Sequence, residues 1–372
     1  MSTIAPNYPA RPRSLWQHIH IDPLLLLSLM VLSGIGLLVL YSAADRDISL
    51  VYKQGVRLGI AFGIMGLVAQ VHPRTLYRWS PYLYAAGIAL LLAVLVLGDV
   101  GKGAQRWLDL GFIRFQPSEF VKIFTPILVA RYLSENPLPP QLKTLALAGI
   151  WILLPTLLIA KQPDLGTALL VASAGFAVVF FAGISWRLLG YMTGVVMAAL
   201  PVFWFMLHDY QRDRILMFLH PEKDPLGRGY HTIQAKIAIG SGGPWGKGWL
   251  DGTQSHLEFL PEPHTDFIFA VWAEEFGLLG SIALMGLYLV IVARGFHMAL
   301  QAQDSFSRLL SASLALTFFV YVFVNIGMVI GILPVVGVPL PLISYGGTSM
   351  VTVMAGFGIM MSLHTHRKLV PS

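Results

Sequence analysis

The chain contains no cysteine. That absence excludes thiolate nucleophiles, disulfides and cysteine-ligated metals. Charge is scarce as well. Only 12% of the 372 residues are Asp, Glu, Lys or Arg, about half the roughly 25% of an average soluble domain. So few charges cannot cover a water-soluble globule of this size, and 56% of the residues are hydrophobic, with a mean hydropathy of +0.69. Soluble, disordered and nucleic-acid-binding classes drop out together. No P-loop occurs, so the chain has no motif for ATP-driven transport. No internal repeat is evident, which argues against an ordinary secondary transporter. The histidines show neither an HExxH nor a two-His-carboxylate spacing, so a dedicated zinc site is not expected.

What is present is a series of apolar runs of about 20 residues, enough to cross a ~30 Å hydrocarbon core as helix. The runs are continuous and do not alternate, which excludes a β-barrel. The fold class expected is all-α: a polytopic membrane protein with ten helices near 23–42, 56–71, 80–98, 115–133, 143–160, 165–183, 187–207, 267–293, 308–333 and 347–364. The first run is too long for a signal-peptide core and no small-residue cleavage site follows, so it reads as an uncleaved anchor. Arg57, Glu119 and Lys122 interrupt the second and fourth spans. With a cytoplasmic N-terminus, the inner side holds Arg11, Arg13, Arg74, Arg78, Arg131, Lys143, Arg187, Arg294, Arg308, Arg367 and Lys368. The outer short loops hold Arg46, Lys53, Lys102, Arg106, Arg114 and Lys161. Eleven against six favours both termini inside. The chain then reads as one transmembrane domain over 1–372, with a short cytoplasmic segment 1–22 and a long outer loop 208–266. The net charge of +6 reflects this topology and an anionic lipid ligand rather than nucleic acid.

The outer segments carry the polar chemistry. In the loop 208–266, Tyr230, Ile233 and Ile237 fall at i, i+3, i+7 and suggest a short amphipathic helix in the interface. Five glycines follow within Gly240–Trp249, a pattern that permits positive φ and close backbone approach. The loop runs directly into the eighth span at Asp266. That residue reads either as an N-cap or as a carboxylate at the membrane boundary, flanked by His264 and Thr265, able to take a proton from a sugar hydroxyl. Glu119 and Lys122 lie at i, i+3 on one face of the fourth span. They read either as a self-satisfied ion pair or as a lysine aimed at an anionic ligand and oriented by the glutamate. Asp164, after Lys161 in a tight turn, reads as an N-cap or as a group facing the same cavity. Arg106 and Trp107 read as belt residues or as a clamp on a sugar face and a phosphate. The Pro/Gly-rich stretch around Ser344 reads as a plain loop or as re-entrant backbone lining a cavity. Glu274 and Glu275 lie about 12–13 Å along the eighth helix from Asp266. Arg57 and Asn325 read as structural.

These segments together resemble the SEDS family (shape, elongation, division and sporulation). The resembling pieces are GAQRWLDLG at 103–111, RFQPSEFVKI at 114–123, KQPDLGTAL at 161–169, GTQSHLEFLPEPHTDFIFA at 252–270 and GVPLPLISYGGTS at 337–349. GTQS before LEFLPE is closer to the elongation branch than to the division branch. Pro263 departs from the commonly basic residue of relatives. The resemblance implies a peptidoglycan glycosyltransferase of the bacterial cytoplasmic (inner) membrane. Such a protein polymerises lipid II at the outer face, beside a class B penicillin-binding protein and other elongation-complex proteins. It places the family's essential aspartate on Asp266, its loop tryptophan on Trp107 and its cavity charges on Glu119, Lys122 and Asp164. Lys161, Arg106, His264 and Ser344 join them as expected substrate-binding residues.

An α-linked donor and a β-1,4 product imply inversion, so a single displacement needs one general base, assigned to Asp266. Cations can stabilise the departing pyrophosphate in place of a general acid, with Lys122 first and Arg106 second. Asp164 and Glu119 could instead hold a divalent cation, Mg or Mn, for the same purpose. Two other classes remain: a lipid II flippase, which would share the basic cavity, and a non-enzymatic scaffold of the elongation complex, which needs no intramembrane charges.

Overall fold

A computed structural model describes residues 19–101, 104–109, 114–206, 212, 216, 230–256 and 263–366. The chain is helical almost throughout. The long helices are α1 (Pro23–Ala43), α2 (Ile48–Ala69), α3 (Pro73–Leu97), α4 (Pro117–Ser134), α5 (Leu142–Lys161), α6 (Leu165–Phe181) and α7 (Trp186–Met206). After two short helices, α8 (Tyr230–Gly242) and α9 (Thr253–His256), come α10 (Ile268–Leu300), α11 (Ser305–Val329) and α12 (Thr348–Thr365). A small antiparallel sheet of β1 (Asp99–Gly101), β2 (Ala104–Asp109) and β3 (Arg114–Phe115) bridges α3 and α4 in the order β1-β2-β3. The long helices cover the ten apolar runs, and α1, α3, α5, α10 and α11 are long and apolar enough to cross a membrane. This is a multi-pass membrane protein.

The helix ends follow local chemistry. Asp22, Asp47, Asp164 and Asp304 each accept an amide of the first turn that follows them, satisfying donors that a helix start leaves bare. Proline occupies the first position of α1, α3 and α4, where its missing N–H costs nothing. Short turns alternate the helices between two ends of the bundle. The upper end is taken here as the one where α1 ends and α2 begins. α11 is the central helix and packs on α4, α6, α8, α10 and α12. α7 stands apart, with Trp186, Tyr191, Val195, Met197 and Phe205 exposed.

α10 departs from the continuous span expected at 267–293. Gly277 has φ 64 and ψ −160, and the helix breaks there. Below the break α10 and α11 run side by side, and a Cβ on Gly295 would sit 2.8 Å from that of Ala315. Gly277 lies 18 residues before Gly295, about 27 Å higher at 1.5 Å per residue. Asn325 lies ten residues after Ala315, about 15 Å higher. Yet Asn325 donates to the carbonyl of Asp266 at 3.0 Å. Asp266 therefore sits about 12 Å below the break. The chain dips into the bundle, residues 268–276 climb back to the upper end, and the span proper descends from Gly277. Accordingly Glu275 meets Ser42 near the top of α1. The two glutamates lie above Asp266, not deeper than it, because the break reverses the direction of the chain.

A broken helix leaves backbone groups bare, and the glycine-rich segment supplies their partners. Leu278 N and Leu279 N donate to the carbonyls of Gly243 and Pro244, at 2.9 and 3.1 Å. The carbonyls of Glu274 and Glu275 accept Lys247 N and Gly248 N, both at 3.0 Å. These are the four groups that would have bonded one another across the break in a straight helix. Beside this splint lies α8, the short helix expected at Tyr230–Gly240. Its buried stripe is Ala235, Ala238 and Gly242, while Ile237 is exposed. The expected stripe of Tyr230, Ile233 and Ile237 is corrected: α8 packs on α10 through small residues, which let the two backbones approach closely.

Candidate active site

Asp266 lies in a non-helical stretch, residues 263–267, before the climbing half of α10. Three successive carbonyls of this stretch are held by other parts of the chain. Tyr345 N donates to the His264 carbonyl at 2.8 Å. The Ser344 hydroxyl donates to that of Thr265 at 2.6 Å. The Asn325 amide donates to that of Asp266 at 3.0 Å and also to Val338 at 2.7 Å. Ser344 Oγ in turn accepts Leu340 N at 2.7 Å, and its carbonyl accepts Gln54 Nε2 at 3.1 Å. The stretch 334–346 is thus re-entrant backbone at the depth of Asp266. The aspartate side chain reaches Gly337 (φ 71), where a Cβ would lie 3.5 Å from its Oδ2.

A second group is buried between α4, α11 and α12. Lys122 Nζ donates to Glu119 Oε1 at 2.6 Å, and Thr352 Oγ1 donates to Glu119 Oε2 at 3.0 Å. Both charged residues are 5% exposed. The ammonium lies 4.9 Å from the centre of the Tyr321 ring. A cavity of about 40 Å³ lies against Lys122, Tyr321, Thr352 and Val353, room for roughly three waters. A second, smaller cavity shares Tyr321 and Val353 and reaches Ser344 and Pro341. The two groups are therefore neighbours across the Tyr321 ring.

The third group caps α6. Asp164 accepts Thr167 N at 3.2 Å and Gln116 Nε2 at 2.8 Å. Arg106 Nε lies 3.8 Å from Asp164 Oδ2, and its Nη2 donates to the Pro163 carbonyl. Trp107 follows on β2, in register with Asp99 and half-buried.

The structure brings most of the expected residues into these groups. The N-cap reading of Asp164 holds; its carboxylate otherwise meets Gln116 and Arg106, and it is not among the residues lining the Lys122 cavity. Ser344 lines the smaller cavity, but its hydroxyl is engaged on both sides by backbone, so it acts on the position of residue 265. Lys161 is exposed at the end of α5 and joins no group. The two carboxylates named for a divalent cation each have other partners in this structure. Glu119 is engaged by Lys122 and Thr352, Asp164 by the cap of α6, and among the described residues no cluster of three His, Asp or Glu could hold a metal. Residues 102–103, 110–113 and 257–262, which carry parts of the quoted motifs, lie outside the described residues.

Two residues read as structural belong to the site. Asn325 is fully buried and tied to Asp266. Arg57 stacks its guanidinium 4.5 Å from the centre of the Tyr345 ring, directly beside the carbonyl anchors. A lone amide or cation inside an apolar run was the available signal.

The comparisons with known proteins bear on this geometry. Residues 19–369 match the family model described as "Cell cycle protein", which covers FtsW, RodA and SpoVE. The chain belongs to this family, the SEDS family. The peptidoglycan glycosyltransferase MrdB of Escherichia coli K12 is 55% identical over 359 residues, covering 96% of this chain and 97% of the relative. The peptidoglycan glycosyltransferase RodA of Treponema pallidum is 31% identical, covering 93% and 98%. Among solved structures, a chain described under "Structural coordination of polymerization and crosslinking by a peptidoglycan synthase complex" superposes with a TM-score of 0.80 at 36% identity, covering 93% of this chain and 99% of that one. RodA of Thermus thermophilus gives 0.71 at 32% identity, covering 93% and 98%.

Proposed function

We propose that this protein is a peptidoglycan glycosyltransferase that polymerises lipid II at the outer face of the bacterial cytoplasmic membrane during cell elongation. Full-length identity of 55% to a glycosyltransferase supports the activity. The observation that carries the mechanism is the anchoring of Asp266: a carboxylate at membrane depth whose own carbonyl and the two before it are pinned. A positioned base is what an inverting displacement needs.

Asp266 takes the proton from the acceptor 4-hydroxyl as the oxygen attacks the anomeric carbon. The bond to the diphosphate breaks in the same step, and its growing charge is met by fixed cations. Lys122 is the first of these and Arg106 the second, with Glu119 and Asp164 orienting them. Trp107 and His264 offer ring faces to the sugars. Both termini lie in the cytoplasm in this reading, supported by the lysine and arginine bias. The upper end of the bundle then faces outward, and one transmembrane domain carries the whole site. A class B penicillin-binding protein beside it would crosslink the product, consistent with the synthase complex among the solved structures.

The test is gel-resolved polymerisation by the purified protein with lipid II and its transpeptidase partner, with moenomycin and a transpeptidase inhibitor controlling other activities. Wild type should yield glycan strands, and a folded Asp266→Asn variant should yield none. Strands from the variant would remove Asp266 as base. If neither protein makes strands, the assay moves to translocation in liposomes, where lipid II crossing the bilayer would favour the flippase. Failure of both assays would leave the scaffold.

A further inference from the structure

We propose that Asn325 is a positioning residue for the Asp266 carboxylate, an assignment that rests on Asp266 acting as the base. Asn325 lies on α11, four residues before its end, and is fully buried. Its single Nδ2 donates to Asp266 O at 3.0 Å and to Val338 O at 2.7 Å. It thereby ties together two stretches of irregular backbone that are far apart in sequence, 263–267 and 334–346. Gly337 precedes Val338, and its Cα face is what the Asp266 Oδ2 approaches. The amide therefore fixes both the main chain of the aspartate and the surface its side chain rests against.

An amide is the group this point requires. Two carbonyls at one buried place need two N–H donors in a fixed plane, which the Asn NH₂ supplies. A hydroxyl carries one proton and could satisfy only one of them. An aliphatic side chain would leave both without this donor. The other anchors, Tyr345 N and Ser344 Oγ, hold residues 264 and 265. Asn325 holds residue 266 itself, through its main-chain carbonyl. Removing it loosens the main chain at the aspartate while the anchors on residues 264 and 265 stay in place, so the effect falls on chemistry more than on substrate affinity. A misplacement of about 1 Å at a reacting group costs on the order of 100-fold in rate.

The experiment compares wild type, Asn325→Leu and Asn325→Ser in the polymerisation assay with the transpeptidase partner, reading kcat and KM for lipid II separately, with Asp266→Asn as the zero. Thermal unfolding of each purified protein is recorded alongside. The expected result is a kcat lowered roughly 10- to 100-fold for Asn325→Leu with KM within about twofold. Asn325→Ser, which keeps one donor, should fall between Leu and wild type. Wild-type kcat in a folded Asn325→Leu variant would overturn the assignment, as would a loss carried by KM. Should the Leu variant not fold, the Ser variant decides by the same split, and a kcat within threefold of wild type counts against the assignment. Absence of strands from wild type would instead undo the glycosyltransferase reading, so the two failures are distinguishable.

Discussion

Gly246 and Gly277 approach so closely that neither has room for a side chain. A Cβ on Gly277 would sit 2.3 Å from Gly246 N, and one on Gly246 would sit 2.1 Å from the Glu275 carbonyl. Both residues also have positive φ. This contact is the hinge pin of the splint that closes the broken helix α10 and so determines how residues 268–276 return from Asp266.

Gly246→Ala combines a clash against backbone with a left-handed conformation, and should cost about 3 kcal/mol or more. Gly243 also has positive φ but open space around it, so Gly243→Ala should cost only about 1 kcal/mol. Thermal unfolding of the two variants in detergent gives the comparison. Equal losses would mean the splint contact contributes nothing beyond backbone strain.

Gly337→Ala places a methyl 3.5 Å from the Asp266 Oδ2 on a backbone with φ 71. The strain alone is worth about 1–2 kcal/mol. Polymerisation should fall at least about tenfold, since a shift of the base acts on rate beyond its effect on stability. Activity retained in a variant with lowered Tm would show that the carboxylate does not depend on this face.

The Glu119–Lys122 pair is buried. Removing either partner strands the other charge and should cost about 3–5 kcal/mol. The double variant Glu119→Gln/Lys122→Met removes both charges and should recover most of that stability while making no glycan strands. Recovered polymerisation in the double variant would assign the pair to the fold alone.

At the lower end Asp22 receives Arg294 and the Leu25 amide. Burial by itself would raise its pKa, but these partners outweigh burial and hold the carboxyl below its ordinary range. The stability this contributes is present above the unfolded pKa of about 3.9 and is lost as pH falls through the lower folded value. Tm measured from pH 6 down to pH 3 should therefore fall more steeply for wild type than for Asp22→Asn. Parallel curves would remove the pair from the pH dependence.

Much of the site is legible in the sequence. Asp266, Lys122, Glu119, Asp164 and Arg106 stand out because a charge inside or beside an apolar run is costly and needs a reason to be there. Ser344 stands out through its Pro and Gly neighbours, which break the pattern. Asn325 and Arg57 read as structural in the sequence, because a single polar residue in a helix does not reveal whether it faces a partner helix or a distant loop. Lys161 fits the same polar pattern as its neighbours, yet its direction at the end of α5 carries it out to the surface.

The sequence by itself determined the class of the protein, its helices and most of their ends, since these follow from hydropathy, proline and capping chemistry acting over a few residues. It also determined the family, through motifs spread along nearly the whole chain. Only the tertiary structure decided that α10 breaks at Gly277 and that Asp266 lies deep in the bundle. The run 267–293 is apolar on both sides of the break, and although Glu274 and Glu275 interrupt it just before Gly277, a local interruption does not say that the chain reverses direction. The bare carbonyls and amides at the break are satisfied by residues some thirty positions earlier in the chain, and such a partnership exists only once those segments meet in space.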